Sequence, residues 1–405
     1  MSNITIATIV CVIYLIVLLY LWRKSKSLNT VVLLWGEYFV TAIFCFLTVY
    51  SSSNHYNLSI INQFYLILIV YIFISPFINE KTFLFYNKRL HVIYRYIANF
   101  YILISIFSCV VYLPTAYDYI MNPRWQDIYN QAHEIQNTNV LTKISNLFFH
   151  FRFLGLVLLF YFISFKKVSQ KYIIILSISV ILPLALVAIT KGSRGGMVSL
   201  IISLVMAYAL FNNSLSLEIK KNLRKIMLFI IPFLILYLSA ITMARFNDSV
   251  FFDNASASTF FYLGHSFLKF DDGIMDSISR YSWGGYFWGT DELHSFIRNE
   301  LSLDSFYGTH FGTSFYTFIG GLYLDFGPLI TFLIAIIVSK FIKSILSKRF
   351  LSVADYFIVI TYAMFILNGV FVVGIGYGIQ LIESIIIYKT LNFFEKKCLT
   401  RLIMQ

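Results

Sequence analysis

Charge is scarce in this sequence. Lys, Arg, Asp and Glu together make up 12% of 405 residues, about half the share of a soluble domain, so an ordinary water-soluble fold is excluded. Six prolines and 19 glycines exclude collagen-like and Pro/Gly-rich disordered chains. The four cysteines, Cys11, Cys45, Cys109 and Cys398, avoid long polar loops and suggest no disulfide framework. The first apolar run lacks a basic leader and a small-residue cleavage site, so it reads as a retained helix. Internal repeats, low-complexity tracts and a self-sufficient soluble domain are missing as well. What remains is 59% hydrophobic and 19% aromatic, with a mean hydropathy of +0.77. The chain reads as a polytopic membrane protein.

A membrane-crossing helix needs about 20 mostly apolar residues. Eleven runs qualify, near 3–22, 31–50, 61–79, 96–114, 143–165, 172–190, 196–211, 226–244, 313–339, 352–373 and 378–394. The net charge of +12 would suggest nucleic acid in a soluble protein. Here it records topology, because 22 of the 31 basic residues fall in alternate connections. They begin with Arg23, Lys24 and Lys26 and end with Lys389, Lys396, Lys397 and Arg401. By the positive-inside rule those connections are cytoplasmic, which puts the N-terminus outside and the C-terminus inside. Two outer loops, 115–142 and 245–312, are too long to be mere connections, and long ordered loops are usually functional. The larger holds nine of the 19 acidic residues and is rich in Trp and Tyr. The expected organisation is one membrane domain over 1–405, capped on its outer side.

Three groups of residues carry candidate chemistry. Lys191-Gly192-Ser193-Arg194-Gly195-Gly196 forms a short outer turn opening a helix. Free N–H groups at such a terminus, with the fork of Arg194, suit phosphate oxygens. The alternative is a Lys/Arg pair snorkelling to lipid phosphates. His310 stands where the large loop re-enters the membrane, and a neutral imidazole there can take a proton from a hydroxyl. A loop histidine bonded to a carbonyl is the plainer alternative. Asp325 lies about three turns into the next run, where carboxyl groups are rare and usually face a cavity. It can orient a base, pair with an arginine or stand protonated. The third group is Arg245, Arg280 and Arg298, with Arg280 beside Tyr281, Trp283, Tyr286 and Trp288. Cation–π packing is its structural explanation. Arg152, beside His150, is a further candidate that can also snorkel to the interface.

Two motifs are set aside. Gly376-Tyr377-Gly378 matches part of a potassium filter, but such a filter needs four converging loops with pore helices. Asp271-Asp272 lacks the spacing and histidines of a metal site.

The plan as a whole resembles the O-antigen polymerase (Wzy) family of bacterial inner membranes, with O-antigen ligases close behind. The likeness covers nearly the full chain through its spans and late outer loop. Locally it rests on Gly-Ser-Arg-Gly-Gly at 192–196, on His310 before Thr313-Ser314-Phe315, and on Asp325-Phe326-Gly327. An Arg-x10-Gly pattern of some polymerases is absent, since Ser256, Asp291 and Thr309 stand eleven positions beyond Arg245, Arg280 and Arg298. The resemblance implies an all-α, GT-C-like glycosyltransferase of about eleven spans, active on the periplasmic side of the inner membrane. Its donor and acceptor would be undecaprenyl-diphosphate-linked oligosaccharides, joined without cofactor or metal. It further implies His310 as acceptor base and Arg194 and Arg280 as diphosphate ligands, beside which the residues themselves offer Lys191 and Arg245. Trp283, Trp288 and Tyr286 would bind glycan. A chain-length regulator and membrane lipids are the expected partners, and nucleic acid is not. Ligation of glycan to lipid A-core is the neighbouring activity. A flippase is the alternative from another class, with inverted repeats and buried charges as its expected signs.

Overall fold

The computed structural model describes residues 2–25, 29–51, 58–121, 145, 147–165, 168–190, 194–226, 228, 255–271, 281–288, 317–370 and 377–403. It is an all-α polytopic membrane protein. Its helices are α1 (Asn3–Ser25), α2 (Thr30–Ser51), α3 (Ile60–Ile74, extended by a tight turn over Ser75–Asn79), α4 (Lys88–Met121), α5 (Leu147–Ser164) and α6 (Gln170–Thr190). They continue with α7 (Arg194–Phe211), α8 (Ala255–Leu268), the short α9 (Gly285–Trp288), α10 (Phe318–Leu346), α11 (Val353–Asn368) and α12 (Tyr377–Ile403). Seven described helices are long and apolar enough to cross a membrane. The runs expected at 143–165 and 352–373 appear as shorter apolar helices, Phe148–Ser164 and Val353–Asn368. The run at 378–394 lies within α12, and 229–244 falls outside the described residues.

Polar residues start these helices. Asn29 Oδ1 accepts from the Val32 amide at 3.2 Å, and Asn87 Oδ1 from the Arg89 amide at 2.9 Å. Ser352 and Asp355 form a reciprocal capping box at the head of α11, each side chain accepting from the other's amide. Such contacts satisfy amide donors that the first helical turn leaves without a partner. Among the described residues a short strand pair interrupts the helices. Phe83–Leu84 (β1) and Phe350–Leu351 (β2) pair in parallel, with the Phe83 and Phe85 amides donating to the Arg349 and Leu351 carbonyls at 2.8 Å. Both pieces are too short to carry a readable alternation.

The chain packs as two compact units. The first comprises Met1–Lys81, Ser239–Lys348 and Tyr362–Ile382. Its core is aromatic, with Tyr14, Trp35 and Tyr38 completely buried. Trp35 Nε1 donates to the Tyr14 carbonyl at 2.9 Å, and the Tyr362 hydroxyl to the Phe73 carbonyl at 2.7 Å. In an apolar surround each such donor needs an acceptor within the protein. Within the expected outer loop 245–312, α8 lies along α2. At Gly264 an added Cβ would stand 2.3 Å from the Cys45 nitrogen, so only glycine admits this approach of the two backbones.

The second unit comprises Thr82–Leu238, Arg349–Thr361 and Glu383–Gln405. Here Glu395 is buried and accepts from the Tyr94 hydroxyl at 2.7 Å and the Ala354 amide at 3.0 Å. That single carboxyl ties α4, α11 and α12 together.

Candidate functional site

In the first unit the sequence Asp325-Phe326-Gly327-Pro328 breaks α10. Gly327 takes φ 74°, ψ 179°, a left-handed conformation that favours glycine, and Pro328 follows without an amide to donate. Asp325, just before this kink, has no exposed surface. Its carboxyl accepts from Ser282 Oγ at 2.6 Å, from the Phe287 amide at 3.0 Å and from the Tyr377 hydroxyl at 3.0 Å. Alongside, the Ser282 amide donates to the Leu324 carbonyl at 2.8 Å and the Trp283 amide to the Asp325 carbonyl at 2.9 Å. Phe287 packs on Tyr377 with ring centroids 5.2 Å apart. Residues 281–288 of the large loop are therefore fastened to α10 and to the head of α12.

This fastening presents two large aromatics outward. Trp283 is 71% exposed and Trp288 51% exposed, although the glycines between them, Gly284 and Gly285, are buried. Trp283 also holds φ at 50°, a conformation costing a bulky residue of order 1–3 kcal/mol unless its surroundings enforce it. The bonds to Leu324 and Asp325 supply that enforcement. Tyr286 belongs to the same turn by its backbone, and its side chain lies outside the description.

Two other loop residues turn out to be internal. Asp271 is completely buried and accepts from the Ser59 amide at 2.8 Å, Asn62 Nδ2 at 2.7 Å and Gln63 Nε2 at 3.1 Å. These bonds join the end of α8 to the head of α3. His265 is also buried, stacked on Phe261 at 4.7 Å. Burial, helped by Lys269, pushes its imidazole down to about 3, which keeps it neutral near physiological pH.

In the second unit a cavity of about 230 Å³ is lined by Arg152, Gly196, Ser199 and Ser203, with Phe149 and Leu184. It lies among the first turns of α5 and α7 and the last turns of α6. Arg152 rests its guanidinium 4.7 Å from the Phe153 ring centroid. Its neighbour His150 bonds through Nδ1 to Glu383 Oε2 at 2.6 Å, and both groups keep about a third or more of their side chains exposed. This cavity can hold an anion with one guanidinium and a helix N-terminus.

Of the residues singled out in the sequence, Trp283 and Trp288 are brought together on one turn, and Arg152 is brought to the head of α7. Arg194 is the first residue of that helix, with its side chain outside the description. His310, Lys191, Arg245 and Arg280 lie outside the described residues, as do His294, Arg298 and Asp272. Ser282, Tyr377 and Glu383 were missed. Tyr377 stood inside the glycine-rich stretch set aside as a false filter. Glu383 could have been found as a lone carboxylate in an apolar run. Compared with protein-family models, with curated proteins and with solved structures, the chain matches none.

Proposed function

We propose that the protein is a glycosyltransferase of the bacterial inner membrane that polymerises undecaprenyl-diphosphate-linked oligosaccharide repeat units at the outer face. The product would be O-antigen or a related surface polysaccharide. One observation carries this reading: an exposed pair of tryptophans on a turn that buried bonds hold in a strained conformation. Strain kept on an exposed aromatic points to a binding role, and flat apolar faces with polar edges suit sugar rings. The competing role is that of interfacial anchors, common for Trp near a bilayer.

The chemistry needs two further functions. An acceptor hydroxyl attacks the anomeric carbon, the new C–O bond forms, and the bond to the diphosphate breaks. Arginines stabilise the charge on the departing diphosphate, most effectively where water is sparse. Arg194 and Arg152 at the head of α7 are suited to that role, with Lys191, Arg245 and Arg280 as further ligands. His310 takes the proton from the hydroxyl. The diphosphate-linked donor is already activated, so no other energy source is required.

Deleting the gene and separating surface glycan on a gel tests the reading. Single repeat units on the core are the expected result; an undecorated core would mean a ligase or flippase. Complementation with Arg194→Ala should then fail to restore long chains at normal protein levels, and Arg194→Lys should restore them only in part. Trp283→Ala with Trp288→Ala should shorten chains while the protein stays in the membrane. Unchanged chains in that double variant would reduce the pair to anchors.

A further inference from the structure

The first unit contains a second polar cavity, at the end opposite to the pinned tryptophans along the direction of α10. It measures about 400 Å³ and its wall includes Lys24 from the last turn of α1 and Lys343 from the last turn of α10. Tyr20, Tyr71 and Asn79 supply further donors, and among the described residues no acidic one lines it. The two serines in the wall donate their hydroxyls to carbonyls of their own chain segments, Ser75 to Ile72 and Ser347 to Lys343. The lysines, tyrosines and Asn79 thus dominate its donor capacity.

Each lysine has a simple structural explanation, since cations near a helix C-terminus offset its dipole. That explanation asks only that each lie over its own last carbonyls. It does not ask that two helices distant in sequence direct their terminal lysines into one cavity, together with two tyrosines and without a counter-charge. The helix ends that meet here are the ones the distribution of Lys and Arg assigns to the cytoplasmic side. There the membrane surface carries anionic phospholipid, and basic pockets between spanning helices take up phosphate headgroups. Tyrosine is likewise at home at that depth.

We infer that this cavity is a binding site for an anionic phospholipid of the inner leaflet, with one headgroup phosphate for each lysine. A headgroup bearing two phosphates, as in diphosphatidylglycerol, matches the pair of cations best. The site is independent of the glycan chemistry proposed above. It stands or falls whatever the enzyme transfers.

The test uses the full-length protein purified in mild detergent and titrated with diphosphatidylglycerol, phosphatidylethanolamine or inorganic phosphate, with bound species counted by native mass spectrometry. Diphosphatidylglycerol should bind in preference to the zwitterionic lipid. Lys24→Gln with Lys343→Gln should weaken it roughly thirty-fold, at about five-fold for each lysine. Lys340→Gln with Lys348→Gln, which removes two cations near the same end that do not line the cavity, should leave binding within about two-fold. If the second pair weakens binding as much as the first, the attraction is a diffuse surface effect and the site is refuted. Millimolar inorganic phosphate that displaces the lipid would instead make this a phosphate pocket without lipid preference. Equal binding of both lipids would overturn the proposal outright. A melting curve for each variant separates loss of binding from loss of fold.

Discussion

Replacing Asp325 with alanine should release the tryptophan turn while leaving the helices that carry it in place. The carboxyl accepts three described bonds, from Ser282, Phe287 and Tyr377. Each deleted acceptor leaves a buried donor unmet, at a cost of about 1–3 kcal/mol. Allowing for partial rearrangement and overlap among neighbours, the turn should lose roughly 3–6 kcal/mol relative to its docked state. At about 1.4 kcal/mol per tenfold, amides of 281–288 should exchange with solvent roughly a hundred- to ten-thousand-fold faster in Asp325→Ala. Ser282→Ala and Tyr377→Phe remove one donor each and leave the carboxyl in place. Each should cost only about 1 kcal/mol. Hydrogen exchange read by mass spectrometry on protein in lipid nanodiscs would measure this directly, with peptides from α2 as the internal control. Exchange in Asp325→Ala within about threefold of the parent would show that the carboxyl does not hold the turn. Should the turn bind glycan, the same variant should also make shorter chains at unchanged protein levels.

Three further outcomes are expected. Gly264→Ala places a methyl group 2.3 Å from the Cys45 nitrogen and should destabilise the first unit by about 1–3 kcal/mol, read as a lower thermal midpoint; an unchanged midpoint would contradict the close approach of α8 to α2. Burial raises the Glu80 carboxyl from 4.5 to about 8, so between those values the folded protein binds more protons than the unfolded chain, and stability should fall as pH rises through that window. Glu80→Gln should flatten the slope, and a melting series showing the same slope in both proteins would remove Glu80 as its source. His310→Ala should slow chain formation about a hundred- to ten-thousand-fold with donor binding retained, and should abolish the decline at acid pH. Full activity would dismiss His310 as base. A surviving decline would point instead to Asp325, or to His265 or His294, as the group that titrates.

Legibility differed between the levels of structure for physical reasons. Helix positions were open to reading because lipid demands apolar residues on every face, and a run of 20 such residues has few other uses in a folded chain. The caps at Asn29, Asn87 and the Ser352–Asp355 box went unread, although each spans no more than three positions. The packing of α8 along α2 was not open to reading, since its polar residues suggested an aqueous loop. Gly264 and Asp271 make sense only once their partners, the Phe44–Cys45 backbone and Asn62–Gln63, are known. The parallel β1–β2 pair depends wholly on residues 267 positions apart. As for the site, Trp283 and Trp288 could be chosen by composition alone. That Asp325 fixes them could not, because its three donors come from two separate segments of the chain.

The use made of buried carboxyl groups bears on what kind of membrane protein this is. Transporters and proton pathways keep ionisable groups inside the membrane where a moving ion or proton can reach them. Besides the half-buried Glu37 and Glu80, four carboxyl groups among the described residues are buried: Asp271, Asp325, Asp355 and Glu395. Every one accepts bonds from backbone amides, and all but Asp355 also accept from a side-chain donor within 3.1 Å. Each of these bonds joins segments or caps a helix, which assigns the groups to holding the fold. The outward-facing polar features are of another kind. They are a strained tryptophan turn, an arginine-lined cavity at a helix head and an exposed His150–Glu383 pair. The proposed surface chemistry accords with an interior in which these four carboxyl groups serve as ties between segments rather than as stations for a moving ion.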